Sequence, residues 1–216
     1  MEEITFNNFT ENLYVLSMLD QSSDENIKKI KNIYNINDKN IFYGLNFKNM
    51  FYNTTPYEND ILTPDLRSYI THKPGAVACL LNHYYAIFDA FKKNASFAFF
   101  IEDDVFPIED FELLKKAIKE LPNDFDCLNF GWIPSIVIGE HKVQPIEYSS
   151  NLYKGLNMEC SGAFGYMLSN KGIQKVISLL SNKFIVSDLM FKFMDSYYMK
   201  KPYLGHAPAY EKSRIR

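Results

Sequence analysis

The run Phe97-Ala-Phe-Phe-Ile-Glu-Asp-Asp-Val105 constrains this chain more than any other segment. Five successive apolar residues, Phe97 to Ile101, suit a strand covered on both faces, as in a parallel or mixed sheet between helices. The run stops at three carboxylates, Glu102, Asp103 and Asp104. In an open α/β sheet the ligand crevice lies where strands leave the core. The three acids are therefore expected at the rim of a cleft, repelling one another unless a cation sits among them. Mg²⁺ and Mn²⁺ take carboxylate oxygens, often one or two, and complete their shell with substrate phosphates and water. The layout points to a metal-held phosphate substrate. The alternative is a solvated turn leading past Pro107 into a helix that favours acid at its start. The very apolar strand in front, and the lack of any Lys or Arg within several residues, weigh against that alternative.

A chain of 216 residues fits one domain, 1–216, and one that size buries about 70% of its unfolded surface. Hydrophobic residues at 47% and charged residues at 23% are ordinary for a water-soluble globular protein. A formal net charge of -3 argues against non-specific nucleic-acid binding. Cys79, Cys127 and Cys160 are widely spaced and form no CxxC pair. They indicate neither a zinc site nor a disulfide framework, and read as buried thiols in a reducing compartment. No apolar run approaches the ~20 residues of a membrane span. The acidic opening Met-Glu-Glu-Ile-Thr lacks the basic and apolar regions of a signal peptide. The expected location is cytoplasmic.

Along the chain, residues 12–18 predict a first buried strand. Glu25 to Tyr34 predict an amphipathic helix with Ile27, Ile30 and Ile33 on one face. A short strand is expected over 40–44 and a long surface loop over 48–74. From Gly75 a helix is predicted, its stripe formed by Val77, Leu80, Leu81, Tyr84, Phe88 and Phe91. After the acidic strand come a helix over 108–121, a short buried strand over 126–131, and an irregular stretch over 132–157 with hairpin character near Gly139. A strand over 163–168 and helices over 170–180 and 187–198 follow, then a basic tail from Lys200. The alternation favours α/β with a largely parallel sheet.

Three blocks carry a family resemblance. Gly75-Ala-Val-Ala-Cys-Leu-Leu-Asn-His83 with Phe99-Phe-Ile-Glu-Asp-Asp-Val105 resembles the lipopolysaccharide and procollagen galactosyltransferases of glycosyltransferase family 25. Those proteins carry a Gly-x-x-Gly-Cys-x-x-Ser-His helix start, followed by a hydrophobic strand ending in Glu-Asp-Asp-Val. Gly162-Ala-Phe-Gly-Tyr-Met-Leu-Ser-Asn-Lys-Gly172 is similar to their Gly-Tyr-x-x-Ser-x-x-Gly block, and Val186-Ser-Asp188 to their Val-Asp element with one residue inserted.

The resemblance implies a GT-A-like fold, in which a Rossmann-like, mostly parallel sheet is flanked by helices. It also implies transfer of a hexose from a UDP-sugar to a hydroxyl of a glycan or protein-linked acceptor, with inversion, assisted by Mn²⁺ or Mg²⁺. Asp104 is then the main metal ligand, with Glu102 and Asp103 contacting metal or ribose. The chain departs from the family at three points: Ser17 to Glu25 contains no Arg, Asn82 stands for a Ser, and Ala78 for a Gly. The competing class is a catalytically silent GT-A-like module that binds a nucleotide, glycan or protein.

The remaining candidates each carry two readings. His83 is either a satisfied core histidine or a catalytic group. Asp188 is a helix N-cap, or the general base that an inverting transfer requires, or both. His206 is a surface residue or a late third metal ligand. Arg214, with Lys212 and Arg216, is either a solvated tail charge or a clamp on a diphosphate.

Overall fold

In the computed structural model the described residues are 4–17, 21–43, 74–132, 146–155, 164–180 and 187–206; at 21–23, 74–77, 187–189 and 206 the description extends to the backbone alone. The apolar run forms strand β3, Phe97–Glu102, with Ala98, Phe99, Phe100 and Ile101 fully buried. Before it come helix α1 (Phe6–Glu11), strand β1 (Leu13–Ser17), helix α2 (Gln21–Tyr34), strand β2 (Ile41–Tyr43) and helix α3 (Pro74–Lys92). After it come β4 (Val105–Pro107), α4 (Phe111–Lys119), β5 (Cys127–Gly131), β6 (Ile146–Glu147), β7 (Leu152–Gly155), β8 (Gly165–Ser169) and α5 (Asn170–Leu180). A 3₁₀ helix (Ser187–Phe193), β9 (Ser196–Met199) and β10 (Leu204–His206) complete the described chain.

Eight strands form one sheet in the order β2-β1-β3-β8-β5-β9-β7-β6. The β1–β2, β1–β3 and β5–β9 pairs are parallel, whereas β3–β8, β5–β8, β6–β7 and β7–β9 are antiparallel. The sheet is thus mixed rather than largely parallel, although only β7 and β8 run against the other six. Packed against one face are α1, α2 and α4, through Phe9, Ile27, Ile30, Tyr34, Leu114 and Ile118. Against the other are α3, α5 and the 3₁₀ helix, through Ala86, Ile87, Ile173, Val176, Met190 and Phe191. Helices therefore cover both faces, as the buried strand requires.

The sequence and the fold part company in four places. Helix α2 buries Ile27, Ile30 and Tyr34, while Ile33 is 43% exposed; the stripe follows i, i+3 and i+7. Helix α3 buries Leu80 and Leu81 of the expected stripe together with Asn82, His83, Ala86, Ile87 and Ala90, while Tyr84 and Phe88 are half-buried and Phe91 exposed, stacked as a ridge along the helix. Small residues let the helix approach the sheet closely, so the aromatic part of the stripe is not the docking face. The predicted helix over 187–198 is a short 3₁₀ helix followed by β9, whose Tyr197 and Tyr198 are strand-favouring aromatics. Finally, α1, β4 and β10 are elements the sequence does not announce, and the stretch over 132–157, expected to be irregular, holds the β6–β7 hairpin. Of the loop expected over 48–74, residues 48–73 lie outside the described residues and Pro74 opens α3; the turn near Gly139 also lies outside them.

Gly165-Tyr-Met-Leu-Ser-Asn-Lys-Gly172 has a mechanical explanation. Ser169 Oγ donates to Phe125 O at 2.7 Å and accepts from Gly172 N at 3.1 Å, fastening the start of α5. A Cβ on Gly172 would meet Asp126 O at 2.1 Å, a backbone atom with little freedom to move. Gly172→Ala should therefore lower stability by about 1–3 kcal/mol in urea unfolding.

Asp126 itself is fully buried, accepting from Lys175 at 2.8 Å and from the Asp195 N–H at 2.8 Å, with Lys171 at 3.0 Å. Burial alone raises its pKa, but the Lys175, Asp195 N–H and Lys171 contacts outweigh burial and hold the carboxyl below its ordinary value. A depressed folded pKa contributes stability above the unfolded value of about 3.9, and that contribution disappears as pH falls through the folded pKa. Asp126→Asn should cost about 1–3 kcal/mol near neutrality. The gap from wild type should close on acidification below about pH 4, measured by urea unfolding at several pH values.

Candidate functional site

The acidic triplet stands where β1 and β3 end side by side. Leu16 pairs with Glu102, and the Asp103 N–H donates to Leu16 O at 3.0 Å, extending the ladder by one residue. The Glu102 N–H donates to Phe164 O at 3.0 Å, tying the same point to the chain entering β8. Asp103 is 3% exposed. Beyond the turn at Asp103 and Asp104, β4 pairs antiparallel with β10, and His206 lies opposite Val105. The register thus brings the backbone of the late histidine to the residue next to Asp104. Its side chain is outside the described residues.

Strand alternation places Glu102 on the same face as Ala98 and Phe100, toward α3. There it meets two residues one helical turn apart. His83 Nε2 lies 3.4 Å from Glu102 Oε1, and Cys79 Sγ lies 3.9 Å from the same oxygen. The three ligand atoms are within 4.8 Å of one another. His83 is 1% exposed, and its Nδ1 sits 2.7 Å from the hydroxyl of Tyr166 on β8. Tyr166 stacks on His83 and on Phe100. Burial pushes the Tyr166 pKa well above its ordinary value, and Cys127, Cys79 and Glu102 push it further, so the phenol stays protonated at neutral pH. Asn82, beside His83, donates to Ser17 O at 3.3 Å, at the end of β1.

His83 is therefore both buried and aimed at the acidic strand end. Cys79, expected as a buried thiol, is half-buried and drawn into this group, whereas Cys127 is buried and Cys160 lies outside the described residues. The clue in the sequence is the spacing Cys79-x-x-x-His83, which puts both side chains on one helix face. Tyr166 was visible only as a letter in the Gly-Tyr block. Of the expected metal set Asp104, Glu102 and His206, Glu102 joins Cys79 and His83, the one cluster of ligand type among the described residues.

Asp188 lies on the 3₁₀ helix, whose Met190 and Phe191 pack in the same layer as α3; Phe191 meets Tyr166 edge to face at 5.2 Å. That segment shares the sheet face to which Glu102 points. The segment is a 3₁₀ helix from Ser187 in place of the expected helix over 187–198, and the Asp188 side chain, on which the N-cap and base readings both depend, is outside the described residues. Arg214, Lys212 and Arg216 are outside them as well.

Two donor sets follow from this geometry. Asp103 and Asp104 offer hard oxygens suited to Mg²⁺ or Mn²⁺. Cys79, His83 and Glu102 offer sulfur, nitrogen and oxygen, a softer set. No helix among the described residues is long and apolar enough to cross a membrane.

No family model matches the chain, and no curated protein matches it significantly. Among solved structures it is similar to the crystal structure of A197 from STIV, at 15% identity and a TM-score of 0.38, over 59% of this chain and 66% of that one.

The His83–Tyr166 contact makes a measurable demand on stability. Tyr166→Phe leaves a buried imidazole nitrogen without its hydroxyl partner and should cost about 1–3 kcal/mol in chemical denaturation. A neutral result would mean that the 2.7 Å contact contributes no net stability.

Proposed function

We propose that the chain is a metal-dependent glycosyltransferase of GT-A-like fold, moving a hexose from a UDP-sugar to a hydroxyl of a glycan or protein-linked acceptor, with inversion, in the cytoplasm. The observation that carries this reading is the acidic turn at the exit of the buried central strand. The parallel unit β2-β1-β3, with α2 and α3 on opposite faces, is the kind of half-domain that holds a nucleotide at its carboxyl edge. In this reading Asp104 holds Mn²⁺ or Mg²⁺, Asp103 contacts metal or ribose, and His206, brought beside the turn by the β4–β10 register, is the third ligand. When bound, the metal neutralises charge growing on the departing UDP. Glu102 supports the site from its place against His83, and Asp188 takes the proton from the acceptor hydroxyl.

The competing reading is a module that binds without turnover. It draws on the absence of Arg between Ser17 and Glu25 and on the engagement of Glu102 by His83 and Cys79. UDP release from UDP-glucose, UDP-galactose and the N-acetyl sugars with Mn²⁺ separates the two. Metal-dependent release favours the enzyme; saturable binding with no release favours the module.

Asp104→Ala should abolish transfer while the circular dichroism spectrum stays that of the wild type. Undiminished transfer by this variant would sink the enzyme assignment. Asp188→Asn should leave donor affinity nearly unchanged and lower transfer by ~10²–10⁴-fold, the contribution of a positioned base. Equal loss of donor binding would instead place Asp188 in the nucleotide pocket.

A further inference from the structure

The geometry points to a second metal site, formed by Cys79, His83 and Glu102, for a borderline-soft divalent transition ion of the Zn²⁺ class. It is separate from the hard-cation site assigned above to Asp104, and nothing in its argument depends on sugar transfer. The first support is the donor set. Thiolate, imidazole and carboxylate together are ligands that Zn²⁺ accepts and Mg²⁺ does not favour.

The second support is spacing. Metal–ligand lengths of about 2.0–2.3 Å put tetrahedral ligand atoms roughly 3.3–3.7 Å apart. The observed separations are 3.4 Å from His83 Nε2 to Glu102 Oε1 and 3.9 Å from Cys79 Sγ to the same oxygen. Two edges of the tetrahedron are thus already close to their final lengths, and the whole group lies within 4.8 Å. The third edge, from Cys79 Sγ to His83 Nε2, is at most 4.8 Å and shortens on binding.

Orientation of the ring is the third support. A ligating histidine generally gives its other N–H to a fixed acceptor, which sets the tautomer and the ring plane. His83 Nδ1 already faces the Tyr166 hydroxyl at 2.7 Å, and Tyr166 is held by stacking on Phe100 and by Phe191. A bound ion would select the tautomer in which Nδ1–H donates to Tyr166 and the unprotonated Nε2 faces Glu102 and Cys79. His83 is 1% exposed, whereas the Glu102 side chain is 26% exposed and Cys79 is half-buried. Three protein ligands among the described residues leave a fourth position for water or another donor, the pattern of accessible rather than closed zinc sites.

The test uses the full chain, stripped with chelator and titrated with Co²⁺ and with Zn²⁺. Co²⁺ should give one equivalent of tetrahedral visible absorption together with a near-ultraviolet thiolate-to-cobalt band, both displaced by Zn²⁺. Cys79→Ser should abolish the thiolate band, and Glu102→Gln, at the more exposed ligand, should weaken Zn²⁺ binding in chelator competition. Tyr166→Phe, which touches no metal, should lower Zn²⁺ affinity by about 10–100-fold. Asp104→Asn should leave the cobalt spectrum intact, so that loss of sugar transfer and loss of this site are read independently. Co²⁺ binding without a thiolate band overturns the proposal, as does a band that survives Cys79→Ser, since another cysteine then holds the ion. Unchanged Zn²⁺ affinity in Glu102→Gln overturns it even if the cysteine variant fails to fold.

Discussion

The contact between His83 and Tyr166 joins three elements that are far apart in the chain. It brings α3 down onto β8, and His83 in turn reaches Glu102 at the end of β3. A buried imidazole needs partners for both nitrogens, because an unsatisfied polar group in the interior is costly. Meeting that requirement fixes the height of α3 above the sheet and the direction in which Glu102 leaves the strand. The close approach is possible because Ala86 and Ala90 continue the same helix face below His83. One polar contact and a run of small residues thereby determine where the carboxyl edge of the sheet meets its covering helix.

The antiparallel insertion of β8 belongs to the same arrangement. Had the sheet been wholly parallel, β3 would have been followed by another strand presenting its carboxyl end to the acidic turn. Instead β8 enters the sheet at that edge, so Phe164 accepts from Glu102 N–H and Tyr166 lies beneath His83. The glycines at 131 and 165 approach each other across the β5–β8 pair, with a Cβ on Gly165 falling 3.1 Å from Gly131 Cα. Side chains on both would force the strands apart just below the site. The Gly-Tyr-x-x-Ser-x-x-Gly block is thus occupied largely with architecture: close packing at Gly165 and Gly172, and a helix start at Ser169.

What the sequence disclosed follows from which signals are local. The strand at Phe97–Glu102 is an uninterrupted apolar run, and nothing but a doubly covered strand accommodates it; α5 and β1 were equally plain. Helix α3 and the burial of its Leu80 and Leu81 are legible, but the rest of its docking face is not, because Tyr84, Phe88 and Phe91 outweigh Ala86 and Ala90 in apolar bulk. Docking is decided by fit against the sheet, a property of two surfaces that periodicity in one segment does not contain. Strand β9 was missed because its partners are β5 and β7, at least forty residues away in sequence for each. The pairing of β4 with β10 is longer in range still. At the site, the carboxylates and His83 stood out by residue type, whereas Cys79 and Tyr166 gain meaning only once α3 and β8 are brought together.

The acidic triplet itself illustrates how backbone geometry apportions charge. Three adjacent carboxylates on a flexible loop would share one environment and one cation. Here Glu102 is still strand, and alternation turns it toward α3, where His83 and Cys79 meet it. Asp103 is held by its N–H on Leu16 at the edge of the ladder, and Asp104 sits in the turn that leads into β4. The split reduces repulsion between Glu102 and its neighbours without any ion, since like charges interact less as they separate and as each gains its own partners. It also means that a single hard cation cannot be assumed to draw on all three carboxylates. The two that remain toward the turn, with the strand of His206 laid alongside, form the smaller hard-oxygen set. Glu102, left on the helix side, is chemically matched to sulfur and imidazole instead. The boundary between the two donor sets is thus the last residue of β3, where the strand's two-residue alternation gives way to the turn.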